Sequence, residues 1–155
     1  MIDIVKFKEK PLDLGFDKVL HINQFKIIEG GDSLEENRNL INRRMDIFLS
    51  PEKNIKKNGL KHLDSGLNYV ICKLATEKNI AIGFAFSSLL NSDNKQLTLA
   101  RMKENIKLCK KYKTKMIIAS FAENIFEMRT PKDLIAFANV IGLNDKEAKQ
   151  ALSLK

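Results

Sequence analysis

The chain has 155 residues, 44% of them hydrophobic and 30% charged, a balance that supports a buried core and excludes both a disordered polyelectrolyte and a membrane-spanning chain. A formal charge of +8 and a pI near 9.5 favour a polyanionic partner, because each phosphate neutralised by Lys or Arg releases counterions. With no Trp and only two Tyr, backbone and shape contacts suit such a partner better than a stacking platform for single-stranded bases.

The N-terminal stretch "MIDIVKFKEK" is a short apolar run followed by charges. It lacks the long apolar segment and small-residue cleavage site of a signal peptide, so a cytoplasmic protein is expected. Apolar runs rich in β-branched residues then recur along the chain: "IDIVKF", "DKVLHI", "FKIIEG", "MDIFLS", "IAIGFAF" and "KMIIAS". Each has the length of a strand buried on both faces in a parallel sheet.

Helical patterns fall between them. A short helix after Gly31 carries Arg38, and Arg43 and Arg44 are placed to close it, where cations at the negative end of the dipole contribute roughly 0.3 to 1 kcal/mol. The crowding of Arg38, Arg43 and Arg44 is notable in a chain with five arginines against 22 lysines. Guanidinium offers a planar fork that matches phosphate, whereas lysine offers a point charge. The segment 50–66, with Pro51, Gly59 and Gly66 as breakers, is lysine-rich and irregular. It leaves the C-terminal end of a strand, the side on which parallel α/β proteins bind ligands.

From Leu67 to Lys78, residues Leu67, Val70, Ile71, Leu74 and Ala75 form one apolar face, with Asp64 or Ser65 as the cap. A longer helix is expected from about Lys95 to Lys113, apolar at Leu99, Met102, Ile106 and Cys109, with Lys103, Lys107 and Lys110 on a solvated face. Thr130, Pro131 and Asp133 open a further helix that Gly142 stops, and Asn144 with Glu147 opens the last. The alternation of strand and helix implies a parallel α/β fold, one domain over residues 1–155, as a barrel or an open sheet.

Catalytic constellations are absent from the pattern. "GFAFSS" is no nucleophile elbow, and "EGGDS" lacks the spacing of a phosphate-binding loop. His21 and His62 have no His or Cys at ligand spacing, and Cys72 and Cys109 read as buried free thiols. Asp3, Asp46, Asp64, Glu123 and Glu127 could meet at a barrel mouth, although no spacing requires it.

The order of "IEGGDSLEENRNLI", "MDIFLSPE", "LDSGLNYVICKLATEKNIAIGF", "RMKENIKLCKKYKTKMIIAS" and "MRTPKDLIAFANVIGLNDKEAKQAL" resembles the protein component 3 family of archaeal and eukaryotic ribonuclease P, from about residue 27 onward. The resemblance implies a TIM-barrel-like subunit of the complex that removes the 5′ leader from precursor tRNA. In that family the RNA subunit holds the active site, and the protein, paired with protein component 2 beside the other protein subunits, stabilises the RNA. No cofactor is expected on the protein itself, magnesium belongs to the RNA, and no membrane is involved.

Family members usually carry more helix and strand before the "GGD" region, whereas here "LGFDKVLHINQ" runs almost directly into "FKIIEGG". A reduced or partly open barrel with a shortened N-terminal region is therefore expected. The resemblance marks Arg38, of the "NR" pair, and Arg129, of "RTP", as RNA contacts. Lys56, Lys57 and Lys61 occupy the basic loop ahead of "DSG", where the family commonly has arginine. Arg43, Arg44, Lys73 and Arg101 complete the set of RNA-contact candidates. For Arg38 the competing reading is a structural ion pair, for Arg129 a pair with Asp133 or Glu127, and for Lys73 plain solvation. Two other classes of protein stay open: a stand-alone metal-dependent phosphoesterase on a related barrel, and a scaffold that pairs only with protein.

Overall fold

The computed structural model describes residues 1–56 and 63–154, so that Lys57, Lys61 and His62 lie outside the described residues. All six apolar runs form strands: β1 (Ile2–Val5), β2 (Lys18–His21), β3 (Ile27–Glu29), β4 (Ile47–Leu49), β5 (Ala81–Ala85) and β6 (Met116–Ala119). Every strand pairing is parallel. One ladder runs β3-β4-β5-β6 and another joins β1 to β2. The seam between them is made by a parallel bridge from Val5 to Ala122 and by the Lys6 amide donating to the Ala122 carbonyl at 2.8 Å. The buried Asp3 reinforces that seam, accepting from the Ser120 amide at 2.6 Å and the Ser120 hydroxyl at 2.7 Å. Burial raises the Asp3 pKa, although the Ser120 hydroxyl and amide pull it down.

The strands thus curl in the cyclic order β2-β1-β6-β5-β4-β3. A parallel barrel results, open between β2 and β3, which no ladder joins among the described residues. Among the described residues the barrel is thus a reduced, partly open one of six strands.

Alternate strand residues face two cores, as a strand's period of two dictates. Ile4, Ile47, Leu49, Ala81, Ala85, Ile117 and Ala119 fill the barrel interior. Phe48, Ile82, Phe84 and Ile118 face the helices. The interior is narrow: a Cβ built on Gly83 would stand 2.8 Å from Ile47 Cγ2, so the β5 position facing β4 has no room for a side chain.

The surrounding helices are α1 (Leu34–Leu40), α2 (Tyr69–Glu77), α3 (Phe86–Leu90), α4 (Lys95–Tyr112), α5 (Pro131–Ile141) and α6 (Asp145–Ala151). Met102, Ile106 and Cys109 of α4 pack onto Ile71, Cys72 and Ala75 of α2, burying both thiols, and the two cysteines are free. Capping boxes at Thr130 with Asp133 and at Asn144 with Glu147 start α5 and α6, and Gly142 ends α5 at φ 115°. The cap of α2 is Asn68, which accepts from the Ile71 amide at 2.9 Å, rather than Asp64 or Ser65; Ser65 is buried beside α4. Short α3 carries no side-chain cap signal and is invisible to pattern reading. Among the described residues, no helix is long and apolar enough to cross a membrane.

Candidate nucleic-acid interface

At the face where strands end, the chain passes through "GGD", "SPE" and "DSG", and these three pieces meet on one buried side chain. Asn37, in the middle of α1, accepts from the Gly31 amide at 2.6 Å and donates to the carbonyls of Gly66 at 2.8 Å and Pro51 at 3.3 Å. Gly66 adopts φ 84° against the Pro51 carbonyl, where an added Cβ would collide with backbone. Asn54 closes the same junction by donating to the Gly30 carbonyl at 2.8 Å. Of the "NR" pair, then, the asparagine organises the loops and the exposed arginine points away from them. Sequence reasoning weighed only the arginine.

Cations on this C-terminal face are taken up by carboxylates. Lys6 reaches Glu29 at 2.8 Å and Glu123 at 3.6 Å, Lys53 reaches Glu29 at 4.0 Å, and Lys56 reaches Asp32 at 2.7 Å. The Lys56 ammonium, with help from Glu36, holds the Asp32 carboxyl below its usual range. Lys56 is exposed but paired, and Lys57 and Lys61 lie outside the described residues.

Arg101 is not a surface contact. It is 6% exposed, and its guanidinium donates to the Ile55 carbonyl at 3.1 Å under the loop that leaves β4. Glu52 and Asn105 are buried with it, and Asn105 donates to the Ser65 carbonyl at 2.8 Å. Among the described residues neither carboxyl oxygen of Glu52 has a hydrogen-bond partner, and burial pushes its pKa up to about 7 against the pull of its own amide, Asn105 and Arg101. Arg101 and Asn105 are four residues apart on α4, so they form a polar stripe beside the apolar one. The loop covers that stripe and turns what the pattern presents as an outer face into a clamp.

Arg129 is half-buried, donating to the carbonyls of Phe126 at 2.9 Å and Met128 at 2.8 Å, and its guanidinium lies 5.1 Å from the Phe86 ring centroid. Among the described residues it forms no ion pair with Asp133 or Glu127; its work is to fold the turn ahead of α5. Lys73 is exposed on α2, 5.7 Å from the Tyr69 ring and 6.0 Å from the Tyr112 ring.

Arg43 and Arg44 do not close α1, which ends at Leu40 before both of them. The Lys78 ammonium takes that role, donating to the carbonyls of Ile41 at 3.3 Å and Asn42 at 3.0 Å. Arg38, Arg43 and Arg44 are exposed and form no ion pair among the described residues. No group of three His, Cys, Asp or Glu among the described residues is arranged to hold a metal. His21 is a structural histidine, with Nε2 on the Lys6 carbonyl at 3.1 Å and Nδ1 on the Asn23 amide at 3.1 Å.

Comparison with known proteins places this arrangement. The model of the family described as RNase P subunit p30 matches residues 28–155. The chain belongs to the RNase P subunit p30 family. Among curated relatives, ribonuclease P protein component 3 of Methanosarcina acetivorans is 33% identical over 129 residues, covering 82% of this chain and 51% of the relative. The same component of Methanocaldococcus jannaschii is 36% identical over 118 residues, covering 74% of this chain and 47% of the relative. The chain therefore spans about half the length of these p30-family relatives. A chain in the cryo-EM structure of archaeal ribonuclease P with mature tRNA shares the fold, with a TM-score of 0.72 at 24% identity over 98% of this chain and 87% of that one.

Proposed function

We propose that this chain is a non-catalytic protein subunit of ribonuclease P, the ribonucleoprotein that cleaves the 5′ leader from precursor tRNA. It binds and stabilises the catalytic RNA together with protein component 2. The observation that carries this reading is the family match over residues 28–155. The match favours a ribonuclease P subunit over a stand-alone phosphoesterase or a protein-only scaffold. The active site and its magnesium belong to the RNA subunit, the protein acts as one domain in the cytoplasm, and precursor tRNA is the substrate of the assembly.

Within this reading Arg38, Arg43, Arg44 and Lys73 are the RNA contacts among the residues singled out from sequence. Each is exposed, and among the described residues none is held by a carboxylate. The test is reconstitution at limiting magnesium of the cognate RNA with protein component 2, with and without this chain. The expected result is a large gain in the rate of precursor tRNA cleavage. A folded, soluble chain that gives no gain refutes the assignment.

A further inference from the structure

We infer that the face where the barrel strands begin is the RNA-binding side of this chain, engaging the phosphate backbone of structured RNA. The inference rests on the subunit reading above and specifies which surface performs it. The backbone places a basic residue ahead of strand after strand. Lys26 precedes β3, its carbonyl taken by the Asp46 amide at 2.8 Å. Arg43 and Arg44 precede β4, Lys78 precedes β5, and Lys113 and Lys115 precede β6, with the Lys115 carbonyl accepting from the Ile82 amide at 2.8 Å.

Two depressions make the row continuous. One, of about 300 Å³, is lined by Asn42, Arg43, Arg44, Met45, Lys78 and Ile80. The other, of about 620 Å³, begins at the next residue, Asn79, and includes Lys113 and Lys115. Strands about 4.8 Å apart put the β3 and β6 ends of the row on the order of 15 Å from each other, enough to follow several phosphates.

The charge of this row is not spent within the protein. Arg43, Arg44, Lys113 and Lys115 are exposed and have no ion pair among the described residues. The acids near the row are Asp46, which accepts from the Lys26 amide at 2.7 Å, Glu77, and Glu147, which is held by Lys110 at 2.9 Å; the six basic residues Lys26, Arg43, Arg44, Lys78, Lys113 and Lys115 outnumber them. Lys113 holds a left-handed conformation at φ 54°, ending α4 so that the chain turns sharply into β6 with two lysines on the turn.

Chemistry selects phosphate over bases or a protein surface. Tyr112, at the end of α4, is approached by the Lys73 and Lys111 ammonium groups at 6.0 and 5.5 Å, so it offers no open ring for stacking. The most exposed aromatic side chain of the kind that anchors a protein partner, Phe126 at 82% exposure, follows the C-terminal end of β6 on the opposite face.

The measurement is the salt dependence of binding of the full chain to a transcript of the cognate ribonuclease P RNA. The variant Arg43→Ala/Arg44→Ala/Lys113→Ala/Lys115→Ala should lower the slope of log K against log salt by roughly three to four, at about 0.9 for each duplex phosphate contact. The pairs Arg43→Ala/Arg44→Ala and Lys113→Ala/Lys115→Ala, each expected to remove about two, carry the test should the fourfold variant not fold. Lys78 is left intact because it caps α1. Lys53→Ala/Lys56→Ala on the opposite face should leave the slope unchanged.

An unchanged slope in the folded fourfold variant or in both pairs overturns the inference, as does an equal loss in Lys53→Ala/Lys56→Ala. Normal RNA binding with lost association to protein component 2 also overturns it, by making the row a protein interface. These outcomes leave the subunit reading intact as long as the wild-type chain accelerates cleavage. Failure of the wild type to do so removes that reading itself.

Discussion

On the C-terminal face of the barrel Lys6, Lys53 and Lys56 each reach a carboxylate, whereas on the N-terminal face Arg43, Arg44, Lys113 and Lys115 reach none among the described residues. The first face is organised inward: Asn37 gathers three loops, and one of them, the segment leaving β4, turns Glu52 inward and covers Arg101. The second is organised outward, with short turns and side chains left to solvent. Exposed ion pairs of the first kind add little to stability, while unpaired cations of the second kind cost solvation only when a partner arrives. Net charge alone therefore says nothing about where a polyanion binds; its pairing does. Stability and recognition are divided between the two ends of the same strands.

Substitutions can break that division, and the largest effect belongs to Asn37→Ala. It removes three hydrogen bonds and leaves the Gly31 amide and two carbonyls without their partner, at a cost of about 4 kcal/mol, read as a fall in thermal midpoint. Arg43→Ala/Arg44→Ala in the same assay should leave the midpoint within about 2 °C, since surface substitutions of this kind change stability little.

Glu52→Gln sharpens the comparison in the other direction. The Glu52 carboxyl has its folded pKa raised to about 7 from 4.5, so its protonated form is the one folding favours. That contribution is fully present below about pH 4.5 and is lost as pH rises through about 7. The amide variant should thus be more stable than wild type at pH 8, by on the order of 3 kcal/mol, and close to it at pH 4. Urea titrations at the two pH values decide this, and equal differences at both would refute it.

Lys78→Ala tests the one cation of the N-terminal row that has structural work. Loss of its bonds to the end of α1 should cost about 1 kcal/mol in urea unfolding, with the helix end fraying first. Lys56→Ala should produce the smallest change, with no measurable shift in thermal midpoint. Its signature is instead a rise of the Asp32 pKa toward the ordinary carboxylate range, followed by NMR titration.

The strands were legible because burial on both faces selects uninterrupted β-branched runs such as "IDIV" and "MIIA", and the starts of α5 and α6 because Thr130 with Asp133 and Asn144 with Glu147 are local signals. Other features depend on chain distant in sequence. Arg101 reads as outward-facing until the segment after β4 folds over it, and the burial of Asn105 and of Glu52, which that segment carries, has no local signal. Arg43 and Arg44 lie beyond the end of α1, whose last carbonyls are met instead by Lys78, just past the end of α2 and distant in sequence. Asn37 carried no signal beyond its place in "EENRN", since its partners are backbone groups of three separate loops. Of the N-terminal row only Arg43 and Arg44 stand out in the sequence; Lys26, Lys78, Lys113 and Lys115 are distant from them along the chain and join them only where the strands align.

The gap between β2 and β3 also sets how the molecule exchanges its amide hydrogens. Strand β5 is paired on both sides, by β4 and β6, and all five of its residues are buried, whereas β2 and β3 each have one neighbour and no fully buried residue. Protection against deuterium should therefore be greatest at the middle of the long ladder and fall away toward its free margins. Opening begins at the gap and moves inward, so the edges breathe while the wall that aligns Arg43, Arg44, Lys113 and Lys115 stays closed.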